Sequence, residues 1–86
     1  MPFDIVLDPS AAKEYQKIFR SNHVIGIAIR QSIEKLATSP FEGKPLAGNK
    51  KGCFSLRKGD YRVIYEIHLP HTIHIIQIGH RKDVYR

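Results

Sequence analysis

Apolar positions change period along the chain, and the change divides it into an N-terminal strand, a helical part and a strand-rich part. Phe3 to Leu7 reads as a short strand. Asp8-Pro9-Ser10 then carries a helix start. Asp8 can cap free amides, and the fixed φ of Pro9 suits the first helical position. Ala12, Tyr15, Ile18 and Phe19 follow at three- and four-residue spacing and give one apolar face. Ser21-Asn22 breaks that helix and caps the next. Ile25, Ile29, Ser32, Ile33 and Leu36 mark a second amphipathic helix, which stops before Pro40 because a residue preceding proline avoids the helical region. A break this short predicts an antiparallel helical hairpin.

Residues Ser39 to Lys51 contain two prolines, two glycines and three lysines and read as a loop. Strands resume near Gly52. Lys58-Gly59-Asp60 is a turn in which Gly59 is free to take positive φ. Tyr61 to His68 is a strand, Leu69-Pro70-His71 a second turn, and Thr72 to Gly79 a further strand. Connections this short give antiparallel hairpins. On Tyr61–His68 one face carries Val63, Tyr65 and Ile67 and the other Arg62, Ile64, Glu66 and His68. The first face packs on the helices, so Arg62 projects from the opposite one. Ile73, Ile75, Ile76 and Ile78 make the last strand apolar on both faces, as in a central strand. The predicted fold is α+β. It has an N-terminal strand and a two-helix antiparallel hairpin packed on a mainly antiparallel four-stranded sheet, in the order β-α-α-β-β-β. Eighty-six residues make one domain, residues 1–86, with no room for a second core.

Charge changes the picture. The first 43 residues are balanced, whereas residues 44–86 hold nine basic against three acidic side chains and so the whole net charge of +6. A one-sided field of this kind suits a polyanion, either nucleic acid or an acidic protein. No apolar run approaches the roughly 20 residues that span a bilayer, and the N-terminus lacks the pattern of a signal peptide. A lone cysteine, Cys53, cannot form an internal disulfide, and a cytosolic protein is expected. No phosphate-binding glycine loop or thiol-enzyme motif is present. His68, His71 and His74 straddle a turn containing Pro70. On that reading they share no face and make no metal site.

The candidate chemistry lies in Leu56-Arg57-x-Gly59-Asp60-Tyr61-Arg62-x-x-Tyr65 and Gly79-His80-Arg81-x-x-x-Tyr85. These two motifs, with the element order and the stretch from Ser39-Pro40 to Leu46, resemble the RelE/ParE superfamily of toxins from toxin–antitoxin systems. In the RelE branch the resemblance implies an endoribonuclease that cuts messenger RNA on the ribosome without a metal or other cofactor. There the 2′-hydroxyl attacks the adjacent phosphate. Arg62 and Arg81 match the family's phosphate-stabilising arginines. Arginine suits that task because its planar fork binds two phosphate oxygens at once. Tyr85 matches the C-terminal tyrosine that meets the reacting nucleotide. Where the best-studied RelE enzymes carry strand lysines, this chain has Cys53 and Ser55, which leaves the general base open. His80 is a candidate acid or base, being tuned for proton transfer near neutral pH. Lys50, Lys51, Arg57, Lys58, Lys82 and Arg86 are expected to hold ribosomal RNA or flanking messenger. The implied partner is a cognate antitoxin with an acidic, amphipathic binding segment. Two alternatives share the fold: a ParE-like inhibitor of DNA gyrase, and an inactive member that serves as an antitoxin-binding co-repressor.

Overall fold

The computed structural model describes residues 2–84. Its elements are β1 (Asp4–Leu7), α1 (Pro9–Ser21), α2 (His23–Lys35), β2 (Lys44–Pro45), a 3₁₀ turn (Gly48–Lys50), β3 (Cys53–Lys58), β4 (Tyr61–His68), β5 (Thr72–His80) and α3 (Arg81–Val84). They form a five-stranded sheet in the order β1-β5-β4-β3-β2. β1 runs parallel to β5, and every other neighbouring pair is antiparallel.

The two helices begin where their caps direct. Asp8 Oδ2 accepts from the Ser10 amide at 3.2 Å and the Ser10 hydroxyl at 2.6 Å. Asn22 serves both helices. Its amide donates to Ile18 O at 2.9 Å, which closes α1, and its side chain accepts from the Ile25 amide at 3.2 Å, which opens α2. One residue therefore satisfies end groups of both helices, and the hairpin needs no longer loop.

Strand alternation sorts the sheet into two faces. Ile5 and Leu7 of β1, Phe54 and Leu56 of β3, Val63, Tyr65 and Ile67 of β4, and Ile73, Ile75 and Ile78 of β5 meet the helices. There they pack with Ala11, Ile18, Ile29, Ile33 and Leu36 in the main core. The expected inward face of β4 is thus the observed one. The second face is partly covered by a smaller cluster of Cys53, Ile64 and Val84, with Leu46 and Ile76 against it.

Three features differ from the sequence expectation. The sheet has five strands rather than four, because Lys44 and Pro45 pair with Ser55 and Phe54 inside the segment read as a loop. A proline cannot donate to a ladder, and an edge position is where one is tolerated. The adjacent isoleucines Ile75 and Ile76 mark a β-bulge: Ile64 pairs with Gln77, but Tyr65 pairs with Ile75. Ile76 follows the alternation onto the second face, and the extra residue returns Ile78 to the main core. Finally, the chain after β5 turns into the short helix α3. A Cβ at Gly79 would lie 3.2 Å from Val84 Cγ2, so the bare glycine lets this helix close on the sheet.

Candidate nucleic-acid interface

The face of the sheet turned away from α1 and α2 carries Lys44, Arg57 and Arg62 on neighbouring strands. The hairpin between β3 and β4 is closed by Gly59-Asp60, with Gly59 at φ +58°. A glycine first in a two-residue loop matches the twist of the flanking strands. Because Lys58 pairs with Tyr61, the next pair outward is Arg57 with Arg62, directly opposite on this face. Lys44 pairs with Ser55 one strand further on. Together Lys44, Leu46, Ser55, Arg57 and Arg62 line a cleft of about 400 Å³.

Among the described residues, neither Arg57 nor Arg62 has a carboxylate within ion-pairing distance. Arg62 is half-buried, and its Nη1 donates to Tyr61 O at 3.2 Å and Gly59 O at 3.4 Å. These long bonds hold the stem at the turn. Arg81 approaches the same turn from α3. Its amide donates to Asp60 O at 2.8 Å and its Nε lies 3.9 Å from Asp60 Oδ1. Both side chains of that pair are more than half exposed, so it adds little stability. Arg62 and Arg81 thus both contact the Gly59-Asp60 turn, one from β4 and one from α3.

His80 stands apart from the cleft. It pairs with Tyr61, on the helix side of the sheet, while Arg62 pairs with Gly79 on the other. Its ring meets the Tyr61 ring edge-on at 5.7 Å, and its Nδ1 accepts from the Lys82 amide at 3.2 Å. Lys58 also falls on the helix-side register, whereas Lys50 and Lys51 sit at the 3₁₀ turn beside the cleft strands. Lys82 is exposed on α3. Tyr85 and Arg86 lie outside the described residues. Lys44 was not singled out from the sequence. The signal for it was the neighbouring Pro45, the mark of an edge strand beside β3.

The other end of this face is different in character. Glu66 pairs with His74, and His68 pairs with Thr72. His68 Nε2 lies 3.1 Å from Glu66 Oε1, and His74 Nδ1 lies 4.0 Å from the same oxygen. Cys53 Sγ is 4.0 Å from Glu66 Oε2. Burial, and then the neighbouring Glu66 charge, push the Cys53 thiol above its ordinary pKa, so it stays protonated and donates. The expectation that the histidines share no face therefore holds for His71 alone, which turns to Asp4 at 3.3 Å. The hairpin register brings His68 and His74 together.

A sheet of this order under a helical hairpin, with a basic cleft on its outer face, makes a small α+β domain with one cationic working face. The profile of the family described as "ParE toxin of type II toxin-antitoxin system, parDE" matches residues 5–85. The toxin RelG of Mycobacterium tuberculosis is 31% identical over 88 residues, covering 100% of this chain and 99% of the relative. The toxin RelE of the same organism is 31% identical over 87 residues, covering 99% of this chain and 88% of the relative. The RelBE2 toxin–antitoxin complex of M. tuberculosis contains a chain that superimposes with a TM-score of 0.81 at 30% identity, covering 94% of this chain and 100% of that one. A YoeB/ParE toxin from Agrobacterium tumefaciens shares the fold at a TM-score of 0.80 and 23% identity, covering 90% of this chain and 96% of that one. The chain belongs to the RelE/ParE superfamily and is a toxin of a type II toxin–antitoxin system. No helix among the described residues is long and apolar enough to cross a membrane.

Proposed function

We propose that the protein is a ribosome-dependent messenger-RNA endonuclease that works without a metal. The observation that carries this reading is the facing pair Arg57 and Arg62 in a cleft with Lys44, and with no carboxylate of the described residues in ion-pairing reach of either arginine. In the reaction the 2′-oxygen bonds to the adjacent phosphorus, the bond to the 5′-oxygen breaks, and a cyclic phosphate and a 5′-hydroxyl result. One proton leaves the 2′-hydroxyl and one reaches the 5′-oxygen. Negative charge grows on the non-bridging oxygens, where a forked guanidinium is most effective. Arg62 takes this role from the sheet and Arg81 from α3, and Tyr85 orients the nucleotide. Arg57 and Lys44 hold flanking phosphates. Lys50, Lys51, Lys58, Lys82 and Arg86 extend the contact to ribosomal RNA. His80 is the remaining candidate acid or base; it lies at the helix-side end of β5, next to Arg81 in sequence rather than in the cleft.

Among the described residues, the cleft offers no carboxylate or histidine as a general base. The ribosome therefore supplies the reactive RNA geometry, an effect worth about 7–11 kcal/mol in favourable cases. The same feature favours a second reading, a ParE-like inhibitor of DNA gyrase, in which the arginine cleft binds without cutting. The cognate antitoxin is the protein partner under either reading. Its acidic, amphipathic segment matches the basic half of the chain and the apolar groove of Tyr15 and Phe19 flanked by Arg20 and Arg30.

Expression without the antitoxin tests the choice. Growth arrest with new messenger 5′ ends inside translated sequence is the expected result. Intact messenger with loss of gyrase supercoiling would replace the nuclease with the gyrase reading.

A further inference from the structure

We infer that Glu66, His68 and His74 form a binding site for a divalent transition-metal ion of the zinc class, separate from the arginine cleft. One ligand atom from each lies within 4.8 Å of the others. Donors about 2 Å from a tetrahedral zinc ion stand roughly 3.3 Å apart. Glu66 Oε1 and His68 Nε2, at 3.1 Å, are already at that spacing. His74 Nδ1, at 4.0 Å from Glu66 Oε1, needs less than one ångström of ring movement. Two imidazoles and one carboxylate suit zinc, nickel or copper and not magnesium, which takes oxygen donors.

The surroundings carry the inference further. The far nitrogen of His74, Nε2, faces Asp8 Oδ1 at 3.7 Å, and Asp8 Oδ2 is fixed by Ser10. A carboxylate behind a ligating histidine sets its tautomer and strengthens its donor atom. Behind Glu66, the Cys53 sulfur lies 4.0 Å from Oε2, the oxygen that the histidines do not face. Two of the three ligands thus have orienting partners, and those partners come from separate elements. The ligands leave at least one position open to water.

The ion would tie β4 to β5 at Glu66↔His74, the end of the hairpin away from the cleft. Arg62 is four residues back along β4, about 13 Å away at strand spacing. The site therefore adds to stability and stays outside the cleavage chemistry.

Isothermal titration of the untagged protein with zinc chloride at neutral pH tests the inference. One equivalent should bind, and the melting temperature should rise by several degrees with excess ion. His68→Gln and His74→Gln should each abolish that heat. Both side chains are at least partly exposed, and circular dichroism checks that the variants fold. Asp8→Asn, which keeps the helix cap, should weaken binding roughly 10-fold or more. His71→Gln should bind as the parent does, and magnesium should give no heat. Absence of zinc binding, or binding unchanged in His68→Gln and His74→Gln, would overturn the site.

Discussion

Arg57 and Arg62 face each other directly across β3 and β4, and among the described residues no carboxylate pairs with either. Like charges directly opposite in a sheet are destabilising, by up to about 1 kcal/mol. The fold holds this repulsion at the mouth of a cleft, where a bound polyanion relieves it. Arg57→Gln should therefore leave stability unchanged or raise it by about 0.2–1 kcal/mol at low salt. Urea unfolding, with the midpoint shifted and the slope unchanged, is the check. The same variant should bind RNA more weakly and lower the salt slope by about one phosphate contact. A clear loss of stability would show that Arg57 has a structural role instead.

Arg62 and Arg81 reach the Gly59-Asp60 turn from a strand and a helix, and they divide the proposed charge stabilisation between them. Arg62→Ala and Arg81→Ala should each lower ribosome-dependent cleavage on the order of 10²-fold, the cost of one donor preorganised for the transition state. Arg62→Lys should not restore the rate, because an ammonium lacks the planar fork. Lys50→Ala and Lys51→Ala should weaken ribosome binding in a salt-dependent way and leave the saturated rate nearly unchanged. Wild-type cleavage by both folded arginine variants would remove the proposed active site.

His80 meets Tyr61 on the helix side, and the proposed acid–base role predicts a loss of rate that a structural role does not. His80→Gln should lower the cleavage rate on the order of 10²-fold while the protein stays folded. An unchanged rate would leave His80 as the ring partner of Tyr61 and the acceptor for Lys82.

What was legible in the chain followed residue chemistry with one local meaning. Asp8, Pro9 and Asn22 announce helix ends by what their side chains and rings can do, and the structure uses them so. The Val63, Tyr65 and Ile67 alternation names the inward face correctly because a strand allows only two faces. β2 was hidden because two residues carry no period. The bulge was hidden because adjacent Ile75 and Ile76 look the same whether the strand is regular or kinked. The pairing of His68 with His74 on one face depends on hairpin register, which the Leu69-Pro70-His71 turn alone does not fix. The arginine cleft was legible as a basic segment; its walls needed Lys44 and Leu46, which the loop reading left out.

At Gly26 the second helix packs tightly against Phe19 of the first. A Cβ there would stand 2.6 Å from Phe19 Cδ2 and 2.9 Å from Phe19 Cα. The second contact is with backbone, so a rotamer change cannot relieve it. Alanine is about 1 kcal/mol better than glycine inside a helix, but overpacking of this kind costs typically about 1–3 kcal/mol. Gly26→Ala should therefore destabilise the protein and lower its melting temperature. A rise would mean that α1 and α2 can separate without loss.

Tyr65 joins the core to the segment that carries Lys44. Its hydroxyl donates to Pro40 O at 2.8 Å and accepts from the Gly43 amide at 2.9 Å, while its ring stacks on Phe54 at 5.4 Å. The side chain is fully buried. Tyr65→Phe keeps the ring but leaves the Gly43 amide and the Pro40 carbonyl without this partner. The expected cost is about 1–3 kcal/mol. Burial pushes the Tyr65 pKa above its ordinary value, ahead of the opposing bond from Gly43. The folded value thus exceeds the unfolded one. Tyr65 stabilises fully below the unfolded value, near 10, and less as pH rises through the folded value. The stability difference between parent and Tyr65→Phe should be flat from about pH 6 to pH 9 and shrink above about pH 10. Urea unfolding at each pH measures it. A difference that grows with pH would contradict the assigned direction.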